Sequence, residues 1–132
     1  NVHFLDIVPR EEMNALYNAM DVLFMPSYAE LFPMAIIEAV NSGLPIVLRD
    51  LDLYRVIYFT DYLRASDNAG FADLLLHLRQ DSAFYDKALT YSKKIADDYS
   101  ADSIAQKWIA YYHHVYEVHE GKRKPLLMKK SK

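Results

Sequence analysis

Two glutamates, Glu30 and Glu38, interrupt the stretch PSYAELFPMAIIEAVNSGLPIV at residues 26–47, which is otherwise almost entirely apolar after its first few residues. The stretch holds no basic side chain that could neutralise either carboxylate. A carboxylate in apolar surroundings is costly unless it accepts hydrogen bonds, and the hydroxyl pair of a ribose or another sugar supplies suitable donors. The two acids therefore indicate a site for a polyhydroxylated ligand.

A strand, a loop and a helix are predicted to position Glu30. The apolar residues 22–25 are typical of a buried strand, and a helix should begin near Pro33 and end in a left-handed cap at Gly43. Glu30 then lies in the loop that leaves the carboxyl end of the strand. Open α/β sheets bind ligands at this edge, so Glu30 is a candidate site residue. The alternative is an ordinary residue of an exposed loop.

The helix that follows this loop carries Glu38 in its second turn. Its first amides, those of Met34 and Ala35 in particular, carry partial positive charge and suit a phosphate. Glu38 therefore flanks an anion-binding helix end and can accept hydrogen bonds from ligand hydroxyls. The alternative is a structural carboxylate that the backbone or a buried hydroxyl satisfies, without any ligand.

Short apolar runs alternate with helical periodicity, which predicts an α/β fold with a Rossmann-like parallel sheet of about three to four strands flanked by helices. The predicted strands cover residues 2–5, 22–25, 46–48 and 62–63. The predicted helices cover residues 11–20, 33–43, 67–79, 82–97 and a last one that Ser100 caps. The C-terminal part is thus helical, and its last helix is expected to bury one long stripe. The stripe consists of Ile104, Trp108, Tyr111, Val115 and Val118.

Composition and charge exclude several classes of function. A chain of 132 residues with 52% hydrophobic content can bury a core, so one compact domain is expected. It has no cysteine, which excludes disulfides, thiolate metal sites and cysteine nucleophiles. Six of the 15 basic residues lie in residues 122–132, which contain no acidic residue. Residues 1–121 therefore contain the other nine basic residues and all 18 acidic residues. Residues 1–121 thus carry a net charge of −9 and would repel nucleic acid, whereas the tail could contact anionic lipid or remain a solvated terminus.

Residues at fixed offsets around the two glutamates resemble the donor-site signature of family 4 glycosyltransferases of the GT-B fold. They are Pro26-Ser27, Phe32-Pro33, Ala39 after Glu38, and the segment Ser42-Gly43-x-Pro45-Ile46-Val47. The glutamates match the E-x(7)-E pair of that family. The resemblance implies a retaining transferase that moves a sugar from a nucleotide sugar, with a uracil nucleotide as first choice, to a lipid, glycan or protein acceptor. It implies no metal and no other cofactor.

The resemblance also implies a role for each site residue. Glu30 would lie against the donor sugar as the catalytic residue, and Glu38 would accept hydrogen bonds from the ribose. The backbone that follows Glu30 would cradle the sugar and the diphosphate, at Leu31, Phe32, Met34 and Ala35. Negative charge that develops on the phosphate would be stabilised by the helix end.

By the same resemblance, residues 1–121 are part of a nucleotide-sugar-binding domain of the GT-B type, and residues 122–132 are a basic tail. The acceptor domain and the family's phosphate-binding Arg and Lys would lie outside these 132 residues, so the fragment alone is expected to be inactive. The absence of cysteine is compatible with a reducing compartment. We expect a cytoplasmic protein that the tail can bring to the inner face of the membrane.

Residues 49–54 depart from the family pattern, which commonly has a glycine-containing loop there. Arg49, Arg55 and Arg64 stand outside the positions of the family's basic pair, and we predict that they are surface charges. These departures keep open a second class of function, a non-catalytic glycosyltransferase-like module that binds a nucleotide or a partner.

Two further interpretations each meet an objection in the sequence. A phosphoacceptor regulator would use Asp50 at the end of a predicted strand, but the sequence lacks the acidic cluster that would hold magnesium. A metal site at His113, Glu117 and His119 is disfavoured, because His119 lies off the helix face that the other two share.

Overall fold

The computed structural model describes residues 2–58 and 61–122, and this part of the chain divides after Asp98 into two units. The first unit contains the 3-10 helix Arg10–Glu12, α1 Met13–Asn18, β1 Leu23–Met25, α2 Met34–Asn41, β2 Ile46–Arg49, α3 Asp52–Tyr58, β3 Leu63–Ala65, α4 Asn68–Gln80 and α5 Ser82–Asp98. The second unit holds the helix α6, Ala101–Lys122.

The strands of the described residues form one parallel sheet in the order β1-β2-β3, which confirms the predicted α/β class. Phe24 of β1 lies beside Val47 of β2, and Val47 lies beside Leu63 of β3. Every residue of β2 is buried, as expected for a central parallel strand that is covered on both faces. The central strand therefore anchors the first unit.

Successive residues of the strands face two different groups of helices. On one face, the ring of Phe24 meets the ring of Phe71 in α4 edge-on, with 5.1 Å between centroids, and Val47 belongs to a core cluster that includes residues of β3, α4 and α5. On the other face, the hydroxyl of Tyr54 in α3 lies 3.8 Å from Sδ of Met25. Because helices cover both faces of the sheet, the loops that follow the strands are accessible at its carboxyl edge.

Three predicted helix caps are confirmed. Gly43, just past the end of α2, has the left-handed φ of 79° that favours glycine. The Oδ1 atom of Asp67 accepts a hydrogen bond from the Gly70 amide at 2.8 Å and so caps α4. The Oγ atom of Ser100 accepts one from the Ser103 amide at 3.3 Å at the start of α6. The bounds of β1, β2, α2, α4 and α5 fall within two residues of the predicted ones.

The predicted strand at residues 2–5 is wrong. The segment has no regular secondary structure, and Phe4, at 94% exposed, is among its apolar side chains that face solvent. A strand forms only where a neighbouring backbone completes its hydrogen bonds, and within the described residues β1 pairs with β2 alone. An apolar run without such a neighbour stays unpaired.

Residues 52–58 form the helix α3, which is not among the predicted helices and overlaps the segment 49–54 that departs from the family pattern. Tyr54 and Tyr58, four residues apart, are both buried and stack with 5.8 Å between ring centroids. Four residues is the spacing of neighbours on one helix face, so a signal for this helix was present in the sequence.

The helix α6 confirms the predicted helical C-terminal part, but the expected burial of its apolar stripe is wrong. Trp108 is 54% exposed, and Tyr111, Val115 and Val118 of the same stripe are exposed as well. The rings of Trp108, Tyr111 and the neighbouring Tyr112 contact one another along the helix, with 5.7 Å between the centroids of Trp108 and Tyr112. None of the helices in residues 2–58 and 61–122 is both long and apolar enough to cross a membrane.

Substitution at Gly43 tests the left-handed cap. Gly43→Ala should destabilise the protein by about 1 to 2 kcal/mol, because an L-residue with a Cβ is strained at this φ. No described atom lies within 4 Å of a Cβ built at Gly43, so the cost arises in the backbone. Gly43→Asn should cost less, because asparagine tolerates the left-handed region better. Urea denaturation compares the variants, and equal costs would contradict this explanation.

Candidate functional site

The loop that follows β1 carries Glu30 at the carboxyl edge of the sheet. Glu30 is half-buried and lines a shallow cleft of about 400 Å³ together with Ala29, Leu31 and Phe32. The side chains of Leu31 and Phe32 are exposed at the surface. The structure thus brings three of the predicted site residues together in one cleft.

The charge of Glu30 acts on Tyr54, a fully buried residue of α3. Burial is the main reason that the pKa of Tyr54 rises to about 12, and the negative charge of Glu30 is the next. Glu30 is therefore close enough to Tyr54 for its charge to act on that hydroxyl. The position matches the loop location predicted for it.

Glu38 receives a hydrogen bond from Tyr17, whose hydroxyl lies 2.9 Å from Oε2 of Glu38. Tyr17 comes from α1 and is only 5% exposed, whereas Glu38 is exposed on α2. Burial raises the pKa of Tyr17 to about 12, with further contributions from its hydrogen bond to Glu38 and from that carboxylate's charge. A buried hydroxyl thus satisfies Glu38 in part, yet the carboxylate keeps acceptor positions that face solvent.

The start of α2 lies between the two glutamates. Pro33 caps this helix, and the first backbone bond into it runs from the Ile36 amide to the Pro33 carbonyl oxygen at 3.1 Å. The amides of Met34 and Ala35 precede that bond, and they are the groups that a helix start leaves open. Met34 and Glu38 are four residues apart and both exposed, so they share the outer face of the helix.

Arg49 is buried, so its prediction as a surface charge is wrong. It is 7% exposed at the carboxyl end of β2. Its Nε donates to the carbonyl oxygen of Pro26 at 2.9 Å, and Nη1 donates to that of Ser66 at 2.7 Å. Its guanidinium carbon lies 3.9 Å from the centre of the Tyr28 ring. The signal in the sequence was its place directly after an apolar strand, at the edge where ligands bind.

Arg55 and Arg64 are exposed, as predicted, and both lie near Asp50. Nη2 of Arg55 is 2.8 Å from each carboxylate oxygen of Asp50, and Nε of Arg64 is 3.8 Å from Oδ1. These ion pairs occupy the carboxylate on which the phosphoacceptor interpretation depends. Within the described ranges, no three His, Cys, Asp or Glu side chains gather as metal ligands, on α6 or elsewhere.

Comparison with known proteins gives a consistent result. The family pattern described as "Glycosyl transferases group 1" matches residues 1–81. An alpha-galactosylglucosyldiacylglycerol synthase of Streptococcus pneumoniae is 37% identical over 112 residues, which cover 85% of this chain and 30% of that protein. D-inositol 3-phosphate glycosyltransferases of Corynebacterium diphtheriae and Corynebacterium efficiens are 48% and 44% identical over 46 residues, 35% of this chain and 11% of each relative. The chain therefore spans less than a third of the length of these relatives.

The Tyr17–Glu38 contact predicts a dependence of stability on alkaline pH. The folded state keeps the Tyr17 proton up to about pH 12, whereas the unfolded state loses it near 10.0. The stability from this group is therefore present below pH 10 and is lost as the pH rises through 12. Tyr17→Phe should make this fall of the unfolding free energy shallower, as urea denaturation at several pH values can measure. Tyr116→Phe, at an exposed ring, is the matched control, and an equal slope in Tyr17→Phe and wild type would contradict the prediction.

Proposed function

Because the chain belongs to the group 1 glycosyl transferases, we propose that it is the nucleotide-sugar-binding part of a longer glycosyltransferase. The observation that carries the proposal is the arrangement at the carboxyl edge. Glu30 lines a cleft there, and Glu38 stands exposed on the next helix, with the open amides at the start of α2 between them. We propose a GT-B domain over residues 1–121, with the acceptor-binding part elsewhere in the longer protein.

Glu38 is proposed to bind the ribose of the donor. Its carboxylate is exposed to a ligand and is held on one side by the Tyr17 hydroxyl at 2.9 Å. A carboxylate can accept several hydrogen bonds, so two vicinal hydroxyls can join the one that Tyr17 donates. Because ribose is common to a nucleoside diphosphate and to its sugar conjugate, Glu38 should affect the affinity for both ligands.

Glu30 is proposed as the catalytic residue beside the donor sugar, in the cleft that Leu31 and Phe32 also line. The amides of Met34 and Ala35 would bind the diphosphate. In the transfer, the bond between the anomeric carbon and the phosphate oxygen breaks, the acceptor hydroxyl bonds to that carbon with retention of configuration, and its proton passes to the departing diphosphate. Negative charge grows on the departing diphosphate, where the start of α2 can stabilise it.

The donor and the acceptor are assigned by chemical class. A uracil nucleotide sugar remains the first choice of donor. Among lipid, glycan and protein acceptors we favour a glycolipid, because the relative that matches 85% of this chain is named as a synthase of a glycosyldiacylglycerol. A panel of nucleotide sugars, led by UDP-glucose and UDP-galactose, titrated against the full-length protein would identify the donor.

The second candidate function is a glycosyltransferase-like module that binds a nucleotide sugar without transferring the sugar. The helix α3, in place of the glycine-containing loop common in the family, is the observation that favours it. Binding of a nucleotide sugar by the full-length protein without turnover on any glycolipid, glycan or protein acceptor would support this alternative.

Two variants of the full-length protein test the division of labour between the glutamates. Glu38→Ala should weaken UDP and UDP-galactose alike by about tenfold to a hundredfold, because a charged acceptor of hydrogen bonds is worth roughly 1.5 to 3 kcal/mol. Glu30→Ala should leave UDP affinity nearly unchanged but weaken UDP-galactose or slow transfer from it, since Glu30 acts on the sugar. Isothermal titration measures both ligands, with melting temperature as the control for folding.

The comparison between ligands decides the outcome of this experiment. Equal losses for UDP and UDP-galactose in both variants would refute the separate roles of the two glutamates. Collapse of the fold in Glu38→Ala would make Glu38 a structural carboxylate held by Tyr17, as the alternative interpretation states.

Residues 122–132 are proposed to bring the protein to an anionic membrane surface. Residues 123–132 lie outside the part of the chain that the structure describes, so the support comes from the sequence, with six basic residues around Leu126-Leu127-Met128. Each basic residue near such a surface contributes about 1 kcal/mol. A lipid acceptor would be reached in the same place.

Deletion of residues 122–132 from the full-length protein should abolish its binding to vesicles that contain anionic lipid. The binding of the intact protein should weaken as salt is raised, because screening reduces the attraction. Cosedimentation with phosphatidylglycerol vesicles measures both effects. Equal binding with and without the tail, or binding that ignores salt, would show that the tail is a solvated terminus.

A further inference from the structure

We propose that Arg49 is a positioning residue, which holds the loop carrying Glu30 in the shape that the donor sugar requires. The inference rests on the proposed function, in which Glu30 lies beside that sugar. Arg49 is 7% exposed at the end of the central strand, and arginine is almost never so deeply buried unless its charge is paired. Its burial therefore calls for a specific role.

The guanidinium joins the ends of both neighbouring strands. Its two hydrogen-bond acceptors are main-chain carbonyl oxygens, that of Pro26 just after β1 and that of Ser66 just after β3. Distances of 2.9 and 2.7 Å are those of well-formed bonds. In the described part of the chain, no carboxylate forms an ion pair with Arg49, and the adjacent Asp50 pairs with Arg55 and Arg64 instead.

Tyr28 gives the same loop a second fixed point. Its ring is 82% exposed, so burial alone would not order it, yet its centre lies 3.9 Å from the guanidinium carbon of Arg49. This cation–π contact is favourable, and Phe71 adds a second ring at 5.2 Å. Pro26 and Tyr28 precede Glu30 by four and two residues, so Arg49 restrains the backbone that leads into it.

Lysine could not replace Arg49 in this role. A guanidinium is planar and presents separate donors in a fixed fork, which can bond two carbonyl oxygens while a ring lies against its face. An ammonium group keeps the charge but offers neither the fork nor the flat face. Arg49→Lys therefore removes the geometry without removing the charge.

A double-mutant cycle in the full-length protein tests the proposal through the affinity for UDP-galactose. Arg49→Lys should weaken this ligand about tenfold, because a small misplacement of a site residue has effects of that order. UDP affinity should change by less than about twofold, because the ribose is proposed to bind Glu38, which lies on α2 and not in the loop that Arg49 holds. In the Glu30→Ala background, Arg49→Lys should weaken the binding of UDP-galactose by less than about twofold. The loop then no longer carries the carboxylate that Arg49 is proposed to position.

Two further variants support the interpretation of the cycle. Arg55→Lys changes an exposed arginine of the same edge and should leave both affinities unchanged. Tyr28→Ala removes the exposed ring and should also weaken UDP-galactose in the presence of Glu30 but not in its absence, by a smaller factor than Arg49→Lys. This variant can replace Arg49→Lys in the cycle if Arg49→Lys does not fold. Equal costs of Arg49→Lys and Tyr28→Ala with and without Glu30 would overturn the positioning role and leave the proposed function standing. No loss of transfer or affinity in Glu30→Ala itself would overturn both.

Discussion

Parallel strand pairing is the constraint on which the candidate site depends. Parallel strands cannot be joined by a tight turn, so the chain must leave each of them at the same edge and continue through a crossover. The helices α2, α3 and α4 follow the three strands in this way, and the segments 26–33, 50–51 and 66–67 all emerge at the carboxyl edge. Arg49 ends the middle strand, the position from which one side chain can reach the chain beyond both neighbours.

The same edge explains how an apolar stretch supports two carboxylates without a basic partner. Glu38 accepts a hydrogen bond from the neutral Tyr17 hydroxyl and stays exposed. The hydrogen bond orients the carboxylate but does not neutralise its charge. Glu30 lies half-buried in a shallow cleft, and its negative charge helps to keep Tyr54 protonated. An arginine paired with either carboxylate would have occupied the acceptor positions that a ligand hydroxyl needs.

Much of the first unit could be predicted because its signals are local. The cap at Asp67, the turn at Gly43 and the strand-loop-helix unit around Glu30 each depend on residues a few positions apart. The burial of Arg49 depends instead on carbonyl oxygens 23 and 17 residues away in sequence, at Pro26 and Ser66. The general rule that arginine side chains are exposed therefore gave a wrong prediction here, because the tertiary structure supplies hydrogen-bond acceptors from distant parts of the sequence.

The apolar segments that remain exposed show what periodicity can predict. A helical or alternating apolar pattern indicates a face that is suited to burial, and it favours a helix or a strand. It does not identify the segment that packs against that face. The stripe of α6 was therefore predicted correctly as helix and wrongly as buried, and the run at residues 2–5 was wrongly predicted as a strand. In the Streptococcus pneumoniae relative the matched region is about 30% of the protein, so that protein has further chain outside the matched region. A helix can form from the order of residues within its own segment, whereas a strand needs a partner to pair with, and the burial of either element depends on the segments that pack against it.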